Sequence, residues 1–259
     1  MPKLALITGA SSGIGRALAQ LHARKGGDLI VTARSGDALE TLKSEIEAEY
    51  QTNVTVVTAD LAAEGGAMAL YDAVKDRQID ILINNAGFGG HGDHIDRDLT
   101  KEQAMIDLNI KALVTLSHEI GRDMAARGKG RILNVGSTAG MMPGPLQAIY
   151  FATKAFVKSY SLALDEELRG KGVTVTVLMP GYVETGFADA ADLNDVALTK
   201  SKGATPESVA LKAYNAMMAG QLTVINDAML GVVMNWIIPL LPHRAVLKMV
   251  RKMQTKSNG

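Results

Sequence analysis

Short runs of aliphatic and β-branched residues alternate along the chain with longer stretches in which apolar residues recur every three or four positions. The short runs lie at Leu4–Thr8, Leu29–Thr32, Val54–Thr58, Ile81–Ile83, Arg131–Val135, Val173–Leu178 and Leu222–Ile225. Their length and period predict seven strands. The longer stretches predict helices over Ile14–Arg24, Gly36–Tyr50, Gly65–Asp76, Lys101–Arg127, Tyr150–Leu168 and Pro206–Ala219. Such alternation builds βαβ units and a doubly wound, parallel α/β sheet with helices on both faces. Ile81-Leu82-Ile83 is apolar at successive positions, as expected where both faces are covered. Ligands of an open sheet of this kind bind beyond the carboxyl ends of the strands, where strand order reverses. The loops after the strands are therefore where function is expected.

Composition narrows the class. Of 259 residues 47% are hydrophobic and 21% charged, which excludes a disordered chain and fits one main folded unit. Lys plus Arg and Asp plus Glu each number 27, leaving no overall field to attract nucleic acid. With no cysteine there can be no disulfide, thiolate metal site or cysteine nucleophile. The apolar stretch after Met1-Pro2-Lys3 is too short for a signal-peptide core, and no run reaches the ~18–20 residues of a spanning helix. A soluble, cytoplasmic protein is expected, with a catalytic domain over 1–227 and a helical extension over 228–259. Charge divides the chain at the same point. No acidic residue follows Asp227, so the last 32 residues carry +5 and the first 227 carry −5.

The first strand ends in Thr8-Gly9-Ala10-Ser11-Ser12-Gly13-Ile14-Gly15 and runs into a helical pattern. Glycines there let the backbone turn tightly and approach a pyrophosphate, which meets free N–H groups at the helix start. Asn84-Asn85-Ala86-Gly87 follows the fourth strand. With these motifs in this order, the chain resembles the short-chain dehydrogenase/reductase family from Leu4 to about Thr185. The resemblance implies a Rossmann-type fold, an oxidoreductase acting on carbonyl and alcohol groups, and assembly as a homodimer or homotetramer. It also implies cofactor contacts at Gly9, Ser11, Ser12, Gly13, Ile14, Gly15, Asn85, Ala86 and Gly87. Asp60 and Leu61 correspond to the family's adenine contacts, a simple turn-forming Asp being the other reading of Asp60.

The end of the second strand bears on cofactor choice. An acid there, about 20 residues past the glycines, holds the ribose hydroxyls of NAD. Here the position is Ala33, followed by Arg34 and Ser35. A guanidinium without a competing acid suits the 2′-phosphate of NADP, and Ser35 adds a hydroxyl. A solvated arginine at a strand end is the bland alternative.

Tyr150 and Lys154 lie four apart on one helix face. A phenol with its ordinary pKa of ~10 is a poor acid or base at neutral pH, and a nearby ammonium, joined by the positive nicotinamide of the oxidised cofactor, is expected to lower it. The pair alone means little. Ser137, 13 residues upstream at the end of the fifth strand, and Asn109, inside the long helix before it, supply the context. In the resemblance Tyr150 exchanges a proton with the substrate oxygen that Ser137 holds. Lys154 binds the nicotinamide ribose, and Asn109 holds a water in the proton relay. Pro180, Gly181, Val183 and Thr185 resemble the segment that walls the nicotinamide. Two other functions remain: a non-catalytic NADP-binding sensor or scaffold, which would not need the acid, and a sugar-nucleotide epimerase or dehydratase, whose glycine spacing differs.

Substrate-facing loops are expected at 88–95, 140–149 and 182–205. Met141, Met142, Pro143, Pro145, Leu146, Tyr182 and Phe187 favour a hydrophobic carbonyl such as a 3-oxoacyl chain, a steroid or a bulky aldehyde, although apolar loops also simply pack. His91 and His94 read as part of a polar, mobile loop rather than a metal site. Family members that reduce carrier-bound acyl chains often end in an Asp-Gly-Gly turn. This chain has Ile225-Asn226-Asp227-Ala228 and then the apolar 229–242 and basic 244–256 segments. Two readings of this tail stand: a flap over the chain's own or a partner's active site, or a membrane-surface segment.

Overall fold

The computed structural model describes residues 3–194, 196–197 and 202–256. Seven strands form one sheet: β1 (Leu4–Thr8), β2 (Asp28–Ala33), β3 (Val54–Thr58), β4 (Ile81–Asn84), β5 (Gly130–Val135), β6 (Val173–Leu178) and β7 (Thr223–Val224). Their order is β3-β2-β1-β4-β5-β6-β7, with every pair parallel. Each predicted strand is present, with small shifts at the ends. The order reverses between β1 and β4. Loops leaving these two strands diverge and open a crevice at the carboxyl edge.

Ten helices accompany the strands among the described residues: α1 (Gly13–Arg24), α2 (Gly36–Glu49), α3 (Gly66–Val74), α4 (Leu99–Ile106), α5 (Leu113–Ala126), α6 (Ala148–Arg169), α7 (Phe187–Ala190), α8 (Pro206–Met218), α9 (Ala228–Val232) and α10 (His243–Gln254). Successive strand residues enter opposite cores. Ile7, Val31 and Ile83 meet Leu18, Leu42 and Met217 of α1, α2 and α8. Leu6, Ile30 and Leu82 meet Leu70 of α3 and Leu116 and Ile120 of α5 on the other face. Burying one such side chain contributes ~1.5–3 kcal/mol, so the sheet is held from both sides.

The long helix predicted over Lys101–Arg127 is divided. A single π-helical turn, Asp107–Ala112, separates α4 from α5 and contains Asn109. Such a turn widens the helix by one residue and is frequent at functional sites. Asn109 therefore sits in a local irregularity, and its side chain reaches another element instead of facing solvent.

The extension does not project. Met234, Ile238, Val246 and Val250 are buried against Ala139 and Phe151 of the catalytic body. No helix among the described residues is long and apolar enough to cross a membrane.

Candidate active site

The loop after β1 is built largely from backbone. Gly9 and Gly13 have φ of +65° and +54°, which L side chains avoid. A Cβ on Gly9 would lie 2.9 Å from Ala86 Cα, and one on Gly15 only 2.3 Å from the Gly9 carbonyl oxygen. Two polar side chains pin this loop to the one after β4. Thr8 Oγ1 accepts from the N–H groups of Asn85 and Ala86, each at 3.0 Å. Asn85 Nδ2 donates to the Thr8 and Gly9 carbonyls, also at 3.0 Å. Sequence reading passed over Thr8, although a lone polar residue closing an apolar strand before a glycine loop is a readable signal.

From this loop a cleft of about 600 Å³ runs along the carboxyl edge of the sheet. Gly9, Ser11, Ser12, Gly13 and Ile14 line it, as do Arg34, Ser35, Asp60, Leu61, Asn85, Ala86 and Gly87. Further along come Pro180, Gly181, Val183 and Thr185. Gly15 is buried behind Gly9 and does not reach the cleft; its part is to let helix and strand close. No carboxylate pairs with Arg34 among the described residues, so its guanidinium is available at the end of the cleft. Asp60 Oδ1 accepts from Ala62 N–H at 3.0 Å in a turn, and the residue also lines the cleft. Missing side chains, free N–H groups and an unpaired cation fit a phosphorylated dinucleotide.

At the middle of the cleft Ser137 and Tyr150 line the wall together, and Ser137 Oγ accepts from Ala139 N–H at 3.1 Å. Lys154 Nζ lies 5.8 Å from the phenol ring centre and donates to the Val135 carbonyl at 2.9 Å. In the chain alone the phenol is pushed up to about 12, because burial disfavours phenolate more than the neighbouring Ser137 hydroxyl favours it. Burial likewise pulls Lys154 down to about 8. Loss of water is the largest cause of both shifts.

Asn109 does not line the cleft. Oδ1 accepts from Phe88 N–H at 3.1 Å, while Nδ2 donates to the Phe88 carbonyl at 3.0 Å and to Thr153 Oγ1 at 3.1 Å. It thus ties α6 to the start of a substrate loop. A Cβ on Gly87 would fall 2.9 Å from Asn109 Oδ1 and 3.5 Å from Lys154 Nζ. The space that this glycine leaves is bordered by both groups.

The far end of the cleft is apolar and made by side chains. Met142, Phe151, Phe187, Leu230, Met234, Val250 and Met253 line it with Tyr182 and Leu193. Phe187 lies against the Tyr150 ring, centre to centre 5.3 Å. Met141 packs into the core instead, and Pro143, Pro145 and Leu146 stay outside the lining. Positions 195 and 198–201 of the third loop lie outside the described residues.

The His91 loop is tied down rather than loose. Arg97 donates to Glu102 and to the His91 carbonyl, and Gly92 N–H donates to Leu146 O at 2.8 Å. His91 Nε2 lies 2.6 Å from the Gln254 carbonyl oxygen, and Gln147 Nε2 donates to Gln254 Oε1 at 2.6 Å. The last turn of α10 is therefore clipped to two substrate loops. No cluster of three or more metal-binding side chains occurs among the described residues. The inner side of the tail thus packs over the chain's own cleft, and both readings of the tail stay open. Leu230, Met234, Val250, Met253, Gln147 and Gln254 were not singled out from sequence. The spacing of four in Leu230–Met234 and in Val250–Gln254 was readable, but not what these residues would face.

The short chain dehydrogenase family matches residues 3–195 of the chain. A very-long-chain 3-oxoacyl-CoA reductase of Macaca fascicularis is 32% identical over 257 residues, 96% of this chain and 78% of that protein. A short-chain dehydrogenase of Sphingobium yanoikuyae, solved with NADPH, superposes with a TM-score of 0.85 at 29% identity over 99% of both chains. The bulky-bulky ketone specific alcohol dehydrogenase of Comamonas testosteroni gives 0.79 at 29% identity, over 93% of this chain and 95% of that one. The chain belongs to the short-chain dehydrogenase family, whose named members here are oxidoreductases acting on carbonyl and alcohol groups.

Proposed function

We propose that this protein is an NADPH-dependent reductase of hydrophobic carbonyl compounds, of the 3-oxoacyl, steroid-like or bulky-ketone kind. The observation that carries this reading is the Ser137–Tyr150–Lys154 group at the junction of two unlike half-clefts. One half is a polar cradle ending at Arg34; the other is an apolar chamber. NADP(H), when bound, supplies the hydride; the residues do the rest. Gly9 to Ile14 receive the pyrophosphate, Arg34 and Ser35 the 2′-phosphate, and Asp60 and Leu61 the adenine. Asn85 to Gly87 line the middle, and Pro180, Gly181, Val183 and Thr185 wall the nicotinamide side.

Tyr150 keeps its proton at neutral pH and donates it to the oxygen that Ser137 holds. Lys154, charged below about pH 8, binds the ribose and favours the resulting phenolate. The space at Gly87 lets a water pass a proton from the Asn109 side to Lys154. The relatives that reduce 3-oxoacyl-CoA or bulky ketones, together with the lining of the apolar half, support the substrate class. Self-association as a homodimer or homotetramer belongs to the same reading, supported by the exposed Ile95, Leu99 and Phe156.

The test is initial-rate oxidation of NADPH and NADH against short aldehydes, 3-oxoacyl thioesters of graded length, steroid ketones and aromatic diketones. Rates that rise with apolar size, and with NADPH over NADH, are expected. Tight NADPH binding with no turnover across the panel would overturn the reading.

A further inference from the structure

The extension is apolar on two sides. Leu230, Met234 and Ile238, four residues apart, face inward, the first two onto the cleft. Met229, Val232, Trp236 and Leu240 follow spacings of three and four on the outside, and are 75%, 52%, 72% and 84% exposed. The one polar side chain among them, Asn235, turns back to donate to the Gly231 carbonyl at 2.8 Å. α10 continues the segment with a charged outer side. Val246, Val250 and Gln254 are buried, and Arg244, Lys248 and Lys252, also four apart, project on the opposite side. Arg251 and Lys256 reach Asp93 and Asp192, whereas Arg244, Lys248 and Lys252 have no carboxylate partner among the described residues.

An exposed apolar ridge of this extent marks a binding surface. We propose that its partner is a bilayer containing anionic lipid. The ridge from Met229 to Leu240 enters the interface, and Arg244, Lys248 and Lys252 meet the phosphate groups. Charge decides against a second copy of the chain. A two-fold contact sets the same surface against itself, and each tail presents three cations without a carboxylate partner among the described residues, and no acid of its own. Docking would put the apolar end of the cleft beside the membrane, since Leu230 and Met234 line it on the other side of the same segment. A hydrophobic carbonyl would then reach the cleft from the bilayer. This last step rests on the reductase reading; the docking itself does not.

Trp236 is the chain's single tryptophan, so its emission reports the ridge alone. Full-length protein is mixed with vesicles of phosphatidylcholine, or of equimolar phosphatidylcholine and phosphatidylglycerol. A blue shift and co-flotation are expected with the mixed vesicles only, and both should be reversed by high salt. Lys248→Ala with Lys252→Ala should weaken partitioning about 30-fold, at the usual contribution of a cation near an anionic surface. Leu240→Asp, at an exposed position outside the cleft, should abolish flotation and leave turnover of a water-soluble carbonyl unchanged. Two results would overturn the proposal. One is no shift and no flotation with either vesicle. The other is a dimer in which Trp236 is already shielded from acrylamide and which Leu240→Asp dissociates. Because emission and flotation need no turnover, failure of the docking is distinguishable from failure of the reductase assignment.

Discussion

The two halves of the cleft are built differently. The polar half is backbone: Gly9, Gly13 and Gly15 leave room, and Thr8 and Asn85 pin one loop to another at four contacts of 3.0 Å. The apolar half is side chain: Met142, Phe187, Met234 and Val250 come from four separate segments. Its few polar ties span long stretches of sequence, 107 residues from Gln147 to Gln254 and 163 from His91 to Gln254. Backbone geometry suits a ligand common to many enzymes, and it tolerates little change. A chamber of side chains can be re-lined residue by residue, so substrate choice belongs there. Mutations in the two halves should accordingly fail in different ways, and those at the junction in a third.

The largest effect is expected at that junction. Tyr150→Phe removes the proton donor without touching the glycine loop or the apolar lining. Turnover should fall about a thousandfold while the NADPH dissociation constant moves by less than about twofold. Stopped-flow rates and NADPH fluorescence titration measure the two separately. Retained turnover would remove the tyrosine from its role, and lost cofactor binding would erase the distinction between junction and cradle.

Lys154 sharpens the comparison through pH. Its folded pKa is about 8, below the ~10.4 of an unfolded lysine. Between these values the unfolded chain holds the extra proton, so stability should rise as pH goes from 8 toward 10, by on the order of 3 kcal/mol for full burial. Tyr150 acts in the opposite sense above about pH 10, because its folded value near 12 exceeds the unfolded one. Urea unfolding of the cofactor-free enzyme should show the rise, and Lys154→Met should flatten it. A slope unchanged by the mutation would mean that the ammonium is solvated in the folded state.

Arg34→Ala tests the polar half alone. Losing one charge-assisted contact to a 2′-phosphate should raise the NADPH dissociation constant about tenfold to a hundredfold and leave that for NADH nearly unchanged. Equal losses for both cofactors would return Arg34 to the solvated strand end that the sequence also allowed.

This contrast explains what could be read from the chain. The seven strands, the glycine loop and the Tyr150–Lys154 spacing are local patterns, set by period and by steric rules that act over a few residues. Asn109 was legible as a residue but not as a place. Nothing in Leu108-Asn109-Ile110 announces a π turn, or that the amide within it bonds Phe88 and Thr153. The tyrosine's burial was hidden for a similar reason. A charge four residues away can be seen in sequence, whereas burial by the whole cleft cannot. Val246, Val250 and Gln254, four apart, are the buried side of α10, which the sequence reading took only as a basic segment. That this side closes on Gln147 depends on contacts spanning over a hundred residues.

The smallest effect is expected at that closure. Gln254→Leu keeps the volume of the side chain and the His91 contact, which uses the backbone carbonyl. It removes only the acceptor for Gln147 Nε2, leaving a buried donor unpaired at a cost of ~1–2 kcal/mol. If the tail is a cover on the substrate half, this should appear as a rise in KM of about fivefold to tenfold, with kcat and NADPH affinity changed by less than about twofold. Gln147→Leu alone should behave alike. The double variant should recover much of the loss, because an apolar pair in place of a hydrogen-bonded pair leaves nothing unsatisfied. Steady-state kinetics on the four proteins completes the cycle. Additive losses would show that the two glutamines act independently, and the tail would then be a wall of the chamber and not a cover clipped over it.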